Sequence, residues 1–67
     1  MEITINGTPR EVTDAVTVAE LLRGLELRPH QVAVEVNREL VPRTRHQKYA
    51  LSAGDAVEIV TLVGGGS

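Results

Sequence analysis

The chain contains no cysteine, no phenylalanine and no tryptophan, and Tyr49 is its one aromatic residue. Without cysteine, the chain cannot form disulfide bonds, cysteine-based zinc sites or a thiol nucleophile. No apolar run approaches the ~18 residues that a membrane-spanning helix needs. The alternating residues 1–6 show no secretory signal. We therefore expect a cytoplasmic protein without a membrane partner.

There is also little chain from which to build an active site. A domain of 67 residues buries only about 60% of its unfolded surface, so its core is small. No Ser-His-Asp set, phosphate-binding loop or pair of carboxylates is apparent. His30 and His46 lack metal-ligand spacing, and we expect both on the surface. We expect a binding module, carrier or subunit with no catalytic residue, metal or bound cofactor.

The formal net charge is −2, which gives no electrostatic reason to expect a nucleic-acid partner. The basic residues of segment 43–48 favour a solvated loop. The alternative is that this segment guides the chain to an acidic partner surface.

Apolar residues on every second position predict a first strand over residues 1–6, with one face formed by Met1, Ile3 and Ile5. Asn6-Gly7 predicts a tight hairpin turn, because both positions tolerate positive φ. An edge strand is predicted over residues 8–13, where Pro9 suits an edge.

A helix is predicted over residues 17–25. Thr17 and Glu20 have the spacing of a capping box, in which each side chain bonds the other residue's backbone amide. Gly24 costs about 1 kcal/mol relative to alanine, so we expect a short helix. Its apolar stripe consists of Val18, Leu21, Leu22 and Leu25.

The second half of the chain consists of short elements and one long strand. We predict a strand at 31–36, a turn at 37–39, a short return at 40–41, a loop or helical turn at 43–48, an edge strand at 49–51, a turn at 52–55 and a strand at 56–63. The last strand is apolar on both faces, which indicates the middle of a sheet. This order predicts a β-grasp, an α+β fold in which the terminal strands pair in parallel and the helix crosses one face.

Residues 1–63 would form this domain, and residues 64–67 a flexible tail. Gly64, Gly65 and Gly66 lack a Cβ, so the tail can lie extended in a narrow channel of a partner. The alternative is a flexible linker without a function of its own.

The outer face of the last strand would carry Val60 and Leu62, beside the tail. We expect these residues to form an apolar docking patch for a partner. The alternative is that the loop around Tyr49 and Leu51 covers them.

These features together resemble the ThiS family, the sulfur carrier proteins of thiamine biosynthesis. The resemblance covers nearly the whole chain. It is carried by the Asn6-Gly7 hairpin, the helix at 18–22, the strand at 32–37, the segment 41–43 and the ending 54–66.

The resemblance implies a mechanism that depends on partner enzymes. An E1-like adenylyltransferase of the ThiF type would use ATP to adenylate the carboxylate of Gly66. Sulfur supplied by a sulfurtransferase would then replace AMP, which gives a thiocarboxylate. A thiazole synthase of the ThiG type would take that sulfur. Ser67 departs from the family pattern, which ends in glycine: it is removed before activation, it is foreign to the natural chain, or this copy is not a working carrier.

Other functions remain open on the sequence alone. Carriers for molybdopterin, tRNA thiolation or cysteine synthesis share the glycine ending. A TGS-like binding module has a β-grasp fold but needs no glycine ending. A covalent protein tag is a further option.

Overall fold

The structure, a computed structural model, describes residues 1–62. Within this range it has five strands and one α-helix. In chain order these are β1 (Glu2–Ile5), β2 (Thr8–Glu11), α1 (Val18–Gly24), β3 (Val32–Val36), β4 (Glu39–Val41) and β5 (Ala56–Thr61). The strands form one mixed sheet in the order β2-β1-β5-β3-β4. The predicted β-grasp arrangement is confirmed.

Two hairpins form the two sides of the sheet, and each has a two-residue turn with positive φ. Asn6 (φ 50°) and Gly7 (φ 84°) connect β1 to β2, as the sequence predicts. Asn37 (φ 52°) and Arg38 (φ 70°) connect β3 to β4. The turn predicted at 37–39 is therefore one residue too long, because Glu39 already belongs to β4 and pairs with Val36 of β3.

The β5 strand lies in the middle of the sheet. It pairs in parallel with β1 through Thr4–Ala56 and Ile5–Val57. It pairs antiparallel with β3 along five residue pairs, from Val32–Thr61 to Val36–Val57. The predicted parallel pairing of the terminal strands is confirmed, although β5 ends two residues before the predicted boundary at 63.

The helix α1 begins with the predicted capping box. The Glu20 amide donates to the Thr17 hydroxyl at 3.1 Å, and the Thr17 amide donates to the Glu20 carboxylate at 3.0 Å. The helix has seven residues and ends at Gly24. Its buried side chains are Val18, Leu21 and Leu22.

The core lies between α1 and one face of the sheet. The buried hydrophobic residues are Ile3, Val18, Leu21, Leu22, Val32, Val34, Val36, Val41, Leu51 and Val57. Tyr49 is partly buried and packs against this cluster.

The segment after β4 agrees with its prediction in one respect and differs from it in another. Residues Arg43–Arg45 form a single 3₁₀ turn, which confirms the helical turn. The edge strand predicted at 49–51 is wrong, because this segment makes only an isolated bridge between Ala50 and Thr17. Leu51 packs in the core instead. The side chain of Leu51 therefore holds this segment in place together with the backbone pairing.

The prediction that His46 lies on the surface is wrong. Only 3% of this residue is exposed. Its Nε2 lies 3.1 Å from the carbonyl oxygen of Val41. The 3₁₀ turn before it directs the chain inward, and its neighbours Arg45 and Gln47 remain exposed. A single buried residue among polar neighbours leaves no periodic pattern in the sequence. His30 is exposed, as predicted.

Candidate functional site

The candidate site is the end of β5, where the central strand leads toward the glycine residues. Leu62 is the last residue that the structure describes. Its amide donates to the Gln31 carbonyl oxygen at 2.8 Å, so bonding on the β3 side continues past the end of β5. The predicted reactive residue Gly66 and the predicted tail residues Gly64 and Gly65 lie outside the described residues. Their roles stay predictions.

On its other side, β5 is bonded by a side chain where its partner strand ends. β1 ends at Ile5, so on this side of β5 no strand lies next to the backbone of Ile59. Asn6 occupies this place: its Oδ1 accepts from the Ile59 amide at 2.8 Å, and its Nδ2 donates to the Ile59 carbonyl at 3.1 Å. The Asn6 side chain therefore continues the hydrogen bonding between β1 and β5 beyond the end of β1, as far as Ile59.

A second asparagine bonds the beginning of β5. The Ala56 amide donates to Asn37 Oδ1 at 3.0 Å, and Asn37 Nδ2 donates to Asp55 Oδ1 at 3.0 Å. The other oxygen of Asp55 accepts from the Ser52 amide at 2.8 Å. Both asparagines stand in hairpin turns, so each turn also fixes the central strand. The sequence showed these residues as turn formers but not as partners of β5.

Near the end of β5, the outer face of the sheet carries two exposed apolar side chains. Val60 is 56% exposed and Leu62 is 55% exposed. In the register of the sheet, Val60 stands opposite the half-buried Ala33. Leu51 packs in the core cluster and Tyr49 packs against it, so the loop around them leaves Val60 and Leu62 uncovered. The docking role of these two residues stays a prediction.

Two carboxylates stand next to this apolar pair. Glu35 and Glu58 are directly opposite each other on β3 and β5, an arrangement in which like charges destabilise a sheet. Within residues 1–62, the ion pairs involve only the Met1 amine, so neither glutamate has a basic partner there. A partner surface that combines apolar and basic groups would match this face.

Residues 1–62 contain no group of three or more His, Asp or Glu residues placed to hold a metal ion. None of the helices in that range has the length and apolar character required to cross a membrane.

Comparison with known proteins identifies the family. Residues 3–66 match the ThiS family. The chain belongs to the ThiS family. The match ends at Gly66 and leaves Ser67 outside.

A solved structure of the ThiS family has the same fold. The thiamine biosynthesis protein ThiS from Geobacter metallireducens superposes with a TM-score of 0.86 at 36% identity, over 98% of this chain and 100% of that one.

Two curated relatives of different lengths are also similar. The sulfur carrier protein ThiS of Bacillus subtilis is 38% identical over 53 residues, which are 79% of this chain and 80% of that protein. A thiazole synthase of Paramagnetospirillum magneticum is 42% identical over 67 residues, which are 100% of this chain but 21% of that protein. This chain therefore spans about a fifth of the length of that relative.

Proposed function

We propose that this chain, in the form that ends at Gly66, carries sulfur for the thiazole moiety of thiamine on the carboxylate of that glycine. One observation carries the proposal. In a ThiS-family fold, the central strand β5 is followed after two further residues by Gly64-Gly65-Gly66, and the family match includes all three glycines. The chain itself acts as a carrier and co-substrate, and its partners perform the catalysis.

The proposed chemistry begins with a free glycine carboxylate. A terminal carboxyl has a pKa of about 3.5, so it is ionised at neutral pH. It attacks the α-phosphate of ATP on an E1-like adenylyltransferase of the ThiF type, which gives an acyl-adenylate and releases pyrophosphate. Sulfide-level sulfur, which a sulfurtransferase and a reductant would supply, attacks the same carbon and releases AMP, which gives the thiocarboxylate. ATP is the substrate of the partner, and the chain needs no cofactor of its own.

The outer face of the sheet supports docking of the adenylyltransferase. Val60 and Leu62 expose apolar surface directly before the glycine residues, so a partner that covers them is also placed to receive the tail. Glu35 and Glu58 stand beside them without a basic partner in residues 1–62. We propose that the adenylyltransferase contributes a surface of apolar and basic side chains to this contact.

The thiazole synthase relative supports the identity of the sulfur acceptor. A segment similar to all 67 residues of this chain forms part of a protein named thiazole synthase. We propose that a ThiG-type thiazole synthase is the enzyme that takes sulfur from Gly66. Carriers for molybdopterin, tRNA thiolation or cysteine synthesis would present the same tail to other acceptors.

Intact-mass spectrometry tests the carrier step. The form of the chain that ends at Gly66 is incubated with ATP, a sulfide source and the ThiF-type enzyme, with an ATP-free reaction as the control. We expect a mass gain of one sulfur-for-oxygen exchange at the C-terminus, and only with ATP. An unchanged mass under conditions in which the enzyme thiocarboxylates its own established carrier would contradict the proposal.

The acceptor is tested separately with the thiocarboxylated chain. Addition of a ThiG-type thiazole synthase and its other substrates should consume the thiocarboxylate and form the thiazole. Transfer to a molybdopterin precursor or to tRNA in parallel reactions, without transfer to the thiazole synthase, would keep the carrier function and overturn the thiamine assignment.

A further inference from the structure

A cleft of about 580 Å³ lies on the helix side of the sheet, away from Val60 and Leu62. Its apolar lining includes Leu22 and Leu27, and its polar lining includes three arginines, Arg23, Arg28 and Arg43. These arginines come from three different segments: the end of α1, the loop after it and the 3₁₀ turn after β4. The fold therefore brings Arg43 together with Arg23 and Arg28, which are distant from it in sequence.

The positive charge of the cleft is not compensated within the described residues. No acidic residue lines the cleft, and the ion pairs found in residues 1–62 involve the Met1 amine rather than any arginine. The chain has 7 lysine and arginine residues and a net charge of −2. Three of those 7 line this one cleft, which makes it an anion-attracting site on an otherwise acidic chain.

The buried His46 also lines the cleft. Its Nε2 faces the Val41 carbonyl, which can only accept, so Nε2 carries a proton and donates to it. Nδ1 is the one buried side-chain nitrogen or oxygen in residues 1–62 without a hydrogen-bond partner. His46 therefore adds to the cleft lining a polar side chain with one ring nitrogen that has no partner within residues 1–62.

We propose that this cleft binds a small organic phosphate. Guanidinium groups match the oxygens of a phosphate in geometry as well as charge. The volume lies within the ~300–1,000 Å³ of small-molecule sites, and Leu22, Leu27 and Pro29 provide an apolar surface for the organic part of the ligand. Nucleic acid fits less well, because its backbone is recognised by basic residues spread along a surface rather than gathered in one cleft.

The test is a titration of the whole chain followed by two-dimensional amide NMR, with phenyl phosphate as the probe. Phenyl phosphate combines an apolar ring with a phosphate. We expect saturable shifts centred on the amides of Arg23, Thr44 and Gln47, with a Kd of about 1 mM or tighter. Inorganic phosphate should bind the same residues more weakly, because it has no apolar part.

Two variants decide whether the cleft is the binding site. Arg43→Gln should weaken phenyl phosphate binding ~10-fold or more, because it removes a charge-assisted hydrogen bond. Arg45→Gln removes the same charge from the same 3₁₀ turn but from a residue outside the cleft, and it should change the Kd less than about twofold. Both arginines are exposed, so the amide spectra should show that both variants fold.

Several results would overturn the proposal. These are absence of saturable shifts, equal weakening by the two variants, or binding of a hexaglutamate peptide in the cleft while phenyl phosphate does not bind. The last result would assign the cleft to an acidic protein segment. Thiocarboxylation of Gly66 can be measured separately, so failure of the phosphate site would leave the carrier function untouched.

Discussion

Leu22 and Ile3 are the largest of the fully buried side chains, each with 1% exposure. They occupy the two sides of the core, because Leu22 belongs to α1 and Ile3 to β1. Few other side chains of this size contribute to the core, and the chain has only one aromatic residue. The free energy of unfolding should therefore depend strongly on single leucine and isoleucine residues.

Leu22→Ala is expected to lower the free energy of unfolding by about 2–5 kcal/mol, because it leaves a cavity in a small core. Leu40→Ala makes the same chemical change at a residue that is 64% exposed, and it should cost less than about 1 kcal/mol. Urea denaturation of both variants measures the difference. Equal midpoints for the two would show that Leu22 does not have the buried position described.

At the scale of elements, β5 depends on the two hairpin turns as well as on its neighbouring strands. Main-chain pairing with β1 covers only two residue pairs. Asn6 and Asn37 add side-chain bonds at Ile59 and Ala56. The Asn37 bond holds the beginning of β5, and the Asn6 bonds hold the part of β5 nearer the glycine residues in sequence.

Asn6→Gly tests this contribution without disturbing the turn, because glycine adopts the positive φ of that position. We expect a loss of about 1–2 kcal/mol in the free energy of unfolding and faster hydrogen exchange at the Ile59 amide. Arg38→Gly is the matched control, since Arg38 has φ 70°. It should leave exchange at Ile59 unchanged. Protection at Ile59 equal to wild type in Asn6→Gly would rule out the side-chain bonds.

The sequence predicts those elements whose signals are local. The alternation in β1, the capping box at Thr17 and the apolar faces of β5 each depend on neighbouring residues, and each is confirmed. His46 and the segment 49–51 were predicted wrongly, because their positions depend on contacts with residues distant in sequence. The arginine cleft was missed for the same reason: its members come from three segments that only the fold brings together.

At the scale of the whole molecule, the two sides of the sheet have different surfaces. The outer face presents Val60, Leu62 and two glutamates, whereas the helix side carries the arginine cleft. One molecule could therefore contact a basic, apolar partner on one side and a phosphate on the other. The proposed docking of the adenylyltransferase on the outer face can be tested by substitution of Leu62.

Leu62→Asp should weaken binding of the ThiF-type enzyme by at least ~10-fold, because it places an unpaired charge in an apolar contact. The fold should persist, since Leu62 is 55% exposed. Ala53→Asp adds the same charge in an exposed turn before β5, at the end away from the tail, and should bind normally. Titration calorimetry compares the three proteins. Wild-type affinity in Leu62→Asp would exclude this face from the interface.

The tail prediction concerns the molecule and its partner together. We expect the form that ends at Gly66 to be the active carrier and the form that ends at Ser67 to be inactive. Adenylation needs a free carboxylate at the α-phosphate, and in the longer form Gly66 has only an amide carbonyl. The carboxylate of Ser67 lies one residue further along. The Cβ of Ser67 would also have to enter the partner's channel, which we expect to suit glycine. Misplacement of about 1 Å at a reacting centre can cost ~100-fold in rate.

Pyrophosphate exchange by the ThiF-type enzyme measures this step directly. Gly65→Val, in the form that ends at Gly66, keeps the free carboxylate but adds a branched side chain, and it should lower exchange by a similar ~100-fold. Its fold should be unchanged, because the buried core described lies within residues 3–57. Gly7→Ala would be a poor control, since Gly7 has φ 84°; Ala53→Asp serves instead and should exchange normally. Equal exchange by both lengths and by Gly65→Val would mean that the glycine residues form only a chain end, and the carrier function would have to be abandoned.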